Sequence, residues 1–109
     1  MKVSYAMGSG FSEAEEREKA KAMALAEESD VIVAVVGGSS SRFGGAVFDA
    51  NGAASKGTGS RSMDCGEGMD TAKVHIPAAQ EELIAALACL GKPLVTVVIA
   101  GRAYCIEKI

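Results

Sequence analysis

A short glycine-containing segment in the second half of the chain carries the carboxylate best suited to chemistry. The segment reads CGEGMD and places Glu67 between two glycines. Glycines on both sides allow backbone angles that other residues rarely adopt, and they let another surface approach closely. A carboxylic acid held in such a loop can donate a proton to a leaving oxygen. Glu67 is therefore a candidate general acid, and the alternative interpretation is a solvated glutamate in a flexible turn.

Asp70 follows Glu67 by three residues and raises the question of a carboxylate pair. Two carboxylates so close in sequence are rarely placed on opposite sides of one substrate. A short aspartate side chain before Thr71 fits the cap of a turn. We therefore expect a structural role for Asp70.

A second polar group follows an apolar run, where the sequence reads VVGGSSSR. A strand that ends in glycines and serines can offer backbone N–H groups to an anion. The phosphate-binding patterns GxGxxG and GxxxxGK[ST] are both missing, however. Ser39, Ser40 and Arg42 are instead candidates for binding the hydroxyls of a sugar or for fixing the loop. Arg42 and Arg61 are each able to pair with a carboxylate there.

The single histidine and the three cysteines indicate no further chemistry. His75 is the only base available to a nucleophilic serine, and no GxSxG elbow is present, so hydrolysis of that type is not expected. Cys65, Cys89 and Cys105 form no CxxC pair and no zinc-site spacing. We expect free thiols, no metal and no cofactor. Unpaired cysteines favour a reducing compartment such as the cytoplasm.

Size and charge exclude some classes of partner. The chain has 109 residues, which is enough for one domain, and a net charge of −3 without a basic stripe. Nucleic acid is therefore not an expected partner. No apolar run approaches the ~20 residues of a membrane span. A membrane partner is not expected either.

The hydrophobic pattern predicts buried strands that alternate with amphipathic helices. Strands are predicted over residues 2–6, 30–38 and 93–101, the last two as apolar runs covered on both faces. One helix is predicted from an N-cap at Ser12 with Glu15 completing a capping box. A second helix is predicted after Pro77, with Gly91 at its carboxyl end. Residues 37–76, between the strand predicted at 30–38 and the second helix, read as one long loop.

This order predicts a single α/β domain spanning residues 1–109. The expected architecture is a small three-layer αβα sandwich with a mostly parallel sheet in a flavodoxin-like order, as an incomplete domain. Ligand chemistry in such sheets gathers at the loops that leave the carboxyl ends of the strands. Both GGSSSRFGG and CGEGMD lie on the loop that leaves the strand predicted at 30–38.

Several motifs in order resemble one family over nearly the whole chain. They are DVIVAVVGGSSSRF, then CGEGMD, then IPAAQ at residues 76–80, and finally GKPLVTVVIAGRAY. Their order and spacing resemble the C-terminal α/β sandwich domain of glycoside hydrolase family 3, which includes β-glucosidases and β-xylosidases. The sequence departs from the family at Thr71, where an arginine is common. The family's domain also normally continues beyond GRAYCIEKI, so we expect a piece of that domain.

The resemblance implies a specific division of labour. The glutamate of the EGxD loop, here Glu67, would serve as general acid/base over a bound β-linked saccharide. The nucleophilic aspartate would come from a neighbouring (β/α)₈ barrel domain. A retaining mechanism needs both carboxyl groups about 5–5.5 Å apart, so this chain alone is expected to be inactive. A periplasmic or secreted parent enzyme is compatible with this assignment.

An incomplete parallel sheet has an open edge, and such an edge invites pairing with another chain, so we expect self-association or marginal stability. The alternative function is a non-catalytic α/β module that works by association or by binding a small ligand.

Overall fold

A parallel pair of strands forms the centre of the protein. In the computed structural model, β1 (Ile32–Gly37) lies beside β4 (Leu94–Ile99). Their register runs in step from Ile32 opposite Leu94 to Gly37 opposite Ile99. Both strands form where the apolar runs predicted them, and the predicted α/β class is confirmed. The structure describes residues 1–11, 14–39, 46–56, 64–65 and 72–109, with backbone only for 46–48 and 54–56.

The second helix begins and ends where its sequence signals predicted. α2 (Ala78–Ala88) follows Pro77, whose φ of −54° suits the residue before a helix. Beyond its carboxyl end, Gly91 has a φ of +66°, a left-handed conformation that glycine adopts without strain. The carbonyl of Pro77 accepts from the backbone N–H of Gln80 and so closes the first turn.

The first helix begins later than its capping pattern predicted. α1 (Glu16–Glu27) has Glu15 at its N-cap, with no side-chain capping bond, so the predicted start at Ser12 is wrong. Ser12 itself lies outside the described residues. The segment ahead of the helix is held elsewhere, because the Phe11 carbonyl accepts from Gln80 Nε2 at 3.0 Å.

Lys92 joins the end of α1 to the start of β4. Its ammonium group donates to the carbonyls of Glu27 and Ser29, the latter at 2.6 Å. The last carbonyls of a helix have no partner within the helix, and a cation there also complements the helix dipole. This bridge places the amino ends of β1 and β4 side by side.

A hairpin interrupts the predicted loop 37–76. β2 (Ala46–Phe48) pairs antiparallel with β3 (Ala54–Lys56). Asp49 closes the turn, since its Oδ1 accepts from the N–H groups of Asn51 at 2.9 Å and Ala53 at 2.8 Å. Gly52 completes the turn with a φ of +80°. The signal was the DANG tetrapeptide, because aspartate, asparagine and glycine favour turns.

The strand predicted at residues 2–6 does not form. Within the described residues, no backbone hydrogen bond joins this segment to β1. Residues 4–8 instead line one side of a groove of about 460 Å³ that runs along Val31–Val36. Alternation of apolar and polar residues was present, but a strand needs an adjacent partner to bond, and the spacing across this groove does not supply one.

The core lies on one face of the sheet. Ile32, Ala34 and Val36 of β1 are buried there against both helices. The helices contribute Ala26 from α1 and Leu83, Ile84 and Leu87 from α2, while Ile76 packs beside them. The helices described here form a single layer. Neither of them has the length and apolar content to cross a bilayer.

The opposite face of the sheet is apolar and exposed. Val33 and Val35 of β1 each keep 61% of their surface accessible. The strand was predicted to be buried on both faces, and only one of its faces is buried. We name these side chains the open face. Its members are Val31, Val33, Val35, Val95, Val97 and Ile99.

Candidate functional site at the carboxyl ends of the strands

Gln80 holds the carboxyl end of β1 against the start of α2. Its Oε1 accepts from the backbone N–H of Gly37 at 2.7 Å, and its Nε2 donates to the Gly37 carbonyl at 3.1 Å. The same Nε2 reaches the carbonyl of Phe11. Gln80 is only 7% exposed, and a buried amide is stable only when its donors and acceptors are paired. Three chain segments are therefore fixed at one point.

Two glycines allow the chain to approach its neighbours at this end of the sheet. Gly37 has a φ of +138°, and a Cβ there would lie 1.9 Å from the Ile99 carbonyl oxygen. A Cβ on Gly38 would lie 1.7 Å from the Tyr104 hydroxyl and 2.7 Å from Asp64 Oδ1. All three distances are shorter than non-bonded atoms tolerate. Any other residue would displace the Ile99 backbone at Gly37, or the Tyr104 and Asp64 side chains at Gly38.

Asp64 links the end of β1 to the segment that precedes Glu67. Its Oδ1 accepts from the Ser39 N–H at 3.0 Å, and its own N–H donates to the Ser39 carbonyl at 3.0 Å. The Cys65 N–H donates to that same carbonyl at 3.3 Å. Residues 64 and 65 are thus bonded to the chain just beyond β1 by three backbone N–H groups and one carboxylate oxygen.

The chain beyond β4 holds the other side of Asp64. The Tyr104 hydroxyl donates to Asp64 Oδ2 at 2.5 Å, and Arg102 Nη1 donates to the Asp64 carbonyl at 3.2 Å. The Arg102 guanidinium also lies 6.0 Å from the centre of the Tyr104 ring, at the limit of a cation–π contact. We name Ser39, Asp64, Arg102 and Tyr104 the aspartate clamp.

Tyr104 stays a hydrogen-bond donor throughout the range in which enzymes work. Burial raises the pKa of the Tyr104 hydroxyl well above its ordinary value near 10, and the hydrogen bond to Asp64 raises it further. Both effects favour the neutral phenol, since a phenolate would be poorly solvated and would face a carboxylate. The Asp64–Tyr104 bond is therefore not disrupted by ionisation of the tyrosine at neutral pH.

Of the four residues that sequence reasoning assigned to the site, one falls within the described part of the chain. Ser39 lies two residues beyond the end of β1, with its backbone held by Asp64. Ser40, Arg42 and Glu67 lie outside the described residues, as do Asp70 and Arg61. Substrate binding by Ser39, Ser40 and Arg42 and acid/base chemistry at Glu67 stay predictions.

His75 belongs to a separate cluster beside α2. Its Nδ1 lies 3.6 Å from Glu81 Oε1, and Lys108 Nζ lies 3.7 Å from Glu81 Oε2. The adjoining backbone is bonded to the chain beyond β4, because the Cys105 N–H donates to the Val74 carbonyl at 2.6 Å. These contacts indicate a structural role for His75. They fix the approach to α2 and the residues after β4 relative to each other.

The cysteines and acidic residues offer no metal centre within the described ranges. All three thiols are free, with Cys65 buried and the other two exposed. The Cys65 thiol is 3.5 Å from the Ser39 carbonyl. No group of three histidine, cysteine or carboxylate side chains in the described residues is arranged to hold an ion.

Sequence reasoning assigned no role to four residues that build this end of the sheet. Gln80, Arg102 and Tyr104 stand in the motifs IPAAQ and GRAY, so their motifs were visible and their partners were not. Asp64 carried no recognisable signal. A lone aspartate ahead of a cysteine acquires meaning only when the fold brings Ser39 and Tyr104 to its two oxygens.

The chain is similar to known proteins over nearly all of its length. The chain is 29% identical over all of its 109 residues to a protein named "Beta-xylosidase" from Formosa agariphila (strain DSM 15362 / KCTC 12365 / LMG 23005 / KMM 3901 / M-2Alg 35-1). The chain spans 12% of the length of that relative. The glycosyl hydrolase family 3 C-terminal domain matches residues 3–109. This match covers both helices, the parallel strands and the whole aspartate clamp, and the chain therefore belongs to the glycosyl hydrolase family 3 C-terminal domain family.

Proposed function

We propose that this chain supplies the general acid/base of a retaining β-glycosidase, and that Glu67 is the residue concerned. The observation that carries the proposal is the position of Asp64 and Cys65. They precede Glu67 by three and two residues, and they are bonded to the carboxyl ends of the strands. Ligand sites of open α/β sheets gather at this edge. Membership of a glycosidase family and similarity to a protein named "Beta-xylosidase" support the same assignment.

The substrate class follows from the same relative. A β-linked xyloside is the first choice, and a β-glucoside is the second. Glu67 would protonate the glycosidic oxygen as the bond to the sugar breaks and would then take a proton from the attacking water. Ser39, Ser40 and Arg42, on the loop leaving β1, would bind sugar hydroxyls. No metal or organic cofactor enters these steps.

The second carboxylate of the mechanism comes from outside this chain. A retaining glycosidase needs a nucleophile on the opposite side of the sugar from the acid, with the carboxyl groups about 5–5.5 Å apart. We assign the nucleophile to a (β/α)₈ barrel domain of the same enzyme. Residues 1–109 alone would then show no glycosidase activity, and hydrolysis of an aryl β-xyloside by the purified chain would contradict this assignment.

Replacement of the proposed acid tests the function in the full-length enzyme. Glu67→Gln removes the transferable proton, and kcat for a poorly activated aryl β-xyloside should fall by about 10²–10⁴. A substrate with a good leaving group needs little protonation and should lose less in its glycosylation step. Azide should restore turnover by forming a glycosyl azide.

The exposed Glu82 on α2 provides a matched control, since Glu82→Gln makes the same chemical change at an exposed helix position outside the clamp. Its kinetics should equal those of the unmodified enzyme. Unchanged kinetics in Glu67→Gln would remove Glu67 from the mechanism.

A second candidate function, association without catalysis, is favoured by the open face and by the edge of β1 opposite β4, which pairs with no other strand among the residues that the structure describes. Apolar patches of contiguous valines are uncommon on monomers and mark interaction sites. The isolated chain should therefore self-associate through these surfaces. Size-exclusion chromatography over a range of concentrations measures this directly. A monomer independent of concentration, with a sharp cooperative melting transition, would argue against association.

A further inference from the structure

Asp64 uses both oxygens of its carboxylate to join two segments that are far apart in sequence. Oδ1 is bonded to the N–H of Ser39, 25 positions earlier, and Oδ2 to the hydroxyl of Tyr104, 40 positions later. The backbone of Asp64 adds a bond in each direction, to Ser39 and to Arg102. A side chain held at both oxygens and at both backbone groups has little freedom to move.

Asp64 lies close in sequence to Glu67, the proposed general acid/base. Glu67 follows it by three positions, so the two Cα atoms are at most ~11 Å apart even in a fully extended chain. A general acid must lie within hydrogen-bonding distance of the oxygen that it protonates. A displacement of 1 Å in a reacting group can lower the rate by ~10²-fold. The position of Asp64 therefore limits the region in which Glu67 can lie.

We propose that Asp64 is the positioning residue for Glu67, and that Tyr104, in the chain beyond β4, holds Asp64 in place. This inference rests on the proposed acid/base role of Glu67. The aspartate clamp ties the chain just ahead of the EGxD segment to the carboxyl ends of both parallel strands. Glycines on either side of Glu67 would otherwise leave its loop free to adopt many conformations.

The bonding of Asp64 also distinguishes it from a reacting carboxylate. Both oxygens of Asp64 accept hydrogen bonds from the protein, one from the Ser39 N–H and one from the Tyr104 hydroxyl, so its carboxylate is engaged in joining these two segments. Its neighbour Tyr104 is a neutral donor at neutral pH, since burial keeps its pKa above the ordinary value. The aspartate clamp thus positions the chain next to Glu67, and Glu67 carries the proton that is transferred.

The test uses the full-length enzyme with three substitutions. Asp64→Ala removes both side-chain bonds and should lower kcat for a poorly activated aryl β-xyloside by about 10- to 100-fold, with KM changed by less than about threefold. Asp64→Asn keeps an oxygen for Ser39 and offers its amide N–H to Tyr104, so it should retain most of the activity. Tyr104→Phe removes one bond and should lower kcat about 3- to 10-fold.

A double substitution separates positioning from a general structural role. If Asp64 acts through Glu67, adding Asp64→Ala to Glu67→Gln should reduce the rate no further than Glu67→Gln alone. The losses in Asp64→Ala should also shrink for substrates with good leaving groups, as they do in Glu67→Gln. Circular dichroism and thermal melting verify that each variant is folded. Tyr104→Phe keeps the test available if Asp64→Ala does not fold.

The contrary outcomes distinguish an error in the positioning role of Asp64 from an error in the acid/base role of Glu67. Losses that multiply in the double variant, or equal losses for good and poor leaving groups, would overturn the positioning role and leave the acid/base role intact. A strong effect of Glu67→Gln together with full activity in both Asp64→Ala and Tyr104→Phe would do the same. Full activity in Glu67→Gln would overturn the proposed function, and the inference about Asp64 with it.

Discussion

The two faces of the parallel sheet have nearly the same chemistry and opposite surroundings. On the core face, Ile32 and Val36 pack under both helices and keep less than a tenth of their surface accessible. On the open face, Val33 and Val35 alternate with them and remain mostly exposed. All are branched apolar residues, which suit a pleated strand on either side. Residue type alone therefore does not tell a covered face from an uncovered one, and stability must depend far more on the core face.

The difference also teaches where the rigidity of the candidate site comes from. Gln80 and Tyr104 both reach the carboxyl ends of the strands from the core face. Gln80 is buried in α2, and the Tyr104 ring packs against the core cluster. The aspartate clamp is therefore supported by the half of the molecule that is well packed. Nothing in the clamp depends on contacts described for the open face.

Truncation of a buried isoleucine should give the largest effect. Ile84 in α2 is 3% exposed, and Ile84→Ala should lower the free energy of unfolding by about 2–5 kcal/mol through lost burial and a residual cavity. Ile99→Ala on the open face makes the same chemical change at a site 62% exposed and should cost less than about 1 kcal/mol. Urea denaturation of both variants measures the difference. Equal losses would mean that the open face is covered in solution.

Loss of the Gln80 amide should give the second largest decrease in the free energy of unfolding. Gln80→Ala leaves the Gly37 N–H without its side-chain acceptor in a buried setting and should cost about 1–3 kcal/mol. Glu82→Ala, on the exposed side of the same helix, should change stability by less than about 0.5 kcal/mol. The same urea titration serves both. A loss for Glu82→Ala as large as that for Gln80→Ala would show that helix composition, and not the buried amide, determines the effect.

Removal of the Tyr104 hydroxyl should have a smaller effect that depends on pH. Tyr104→Phe should cost about 0.5–1.5 kcal/mol at pH 7 through its bond to Asp64. Burial and Asp64 raise the pKa of Tyr104 in the folded protein, so the stabilisation is complete below the unfolded value near 10 and is lost as pH rises above it.

Chemical denaturation between pH 7 and pH 11 should therefore show the two proteins converging in stability above pH 10. Tyr5→Phe is the control, because Tyr5 is 87% exposed and the substitution makes the same chemical change at a solvated site. A constant difference between Tyr104→Phe and the unmodified chain across the whole pH range would contradict the stated cause.

A polar substitution on the open face should have the smallest effect on stability. Val35→Thr keeps the shape and the strand preference of the side chain and should change the free energy of unfolding by less than about 0.5 kcal/mol. Val36→Thr places the same hydroxyl in the core face and should cost about 1–3 kcal/mol. Sedimentation velocity should show weaker self-association for Val35→Thr alone. Unchanged association would exclude the open face as the contact surface.

Much of the helical and parallel-strand framework was predictable because its signals are local. The apolar runs around Ile32–Gly37 and Leu94–Ile99, the proline before α2 and the glycine after it each act within a few residues. The capping box at Ser12 was misleading for the opposite reason. The segment ahead of α1 is bonded at Phe11 to Gln80, 69 positions away, and a local sequence pattern carries no sign of such a long-range contact.

The candidate site was also predictable only in part. Its chain position was predictable, since polar residues beyond β1 and the CGEGMD segment both follow the carboxyl end of a strand. The aspartate clamp was not, because Ser39, Asp64 and Tyr104 meet only after the parallel pair has formed.

The sequence by itself determined the family, the α/β class and the places where α2 and the parallel strands begin and end. These features depend on residue types and on short spacings. Tertiary structure alone decided which face of the sheet is buried, whether residues 2–6 find a partner strand, and which groups meet Asp64. Burial and long-range hydrogen bonds depend on which segments become neighbours, and segments 25–69 positions apart leave no local trace of that choice.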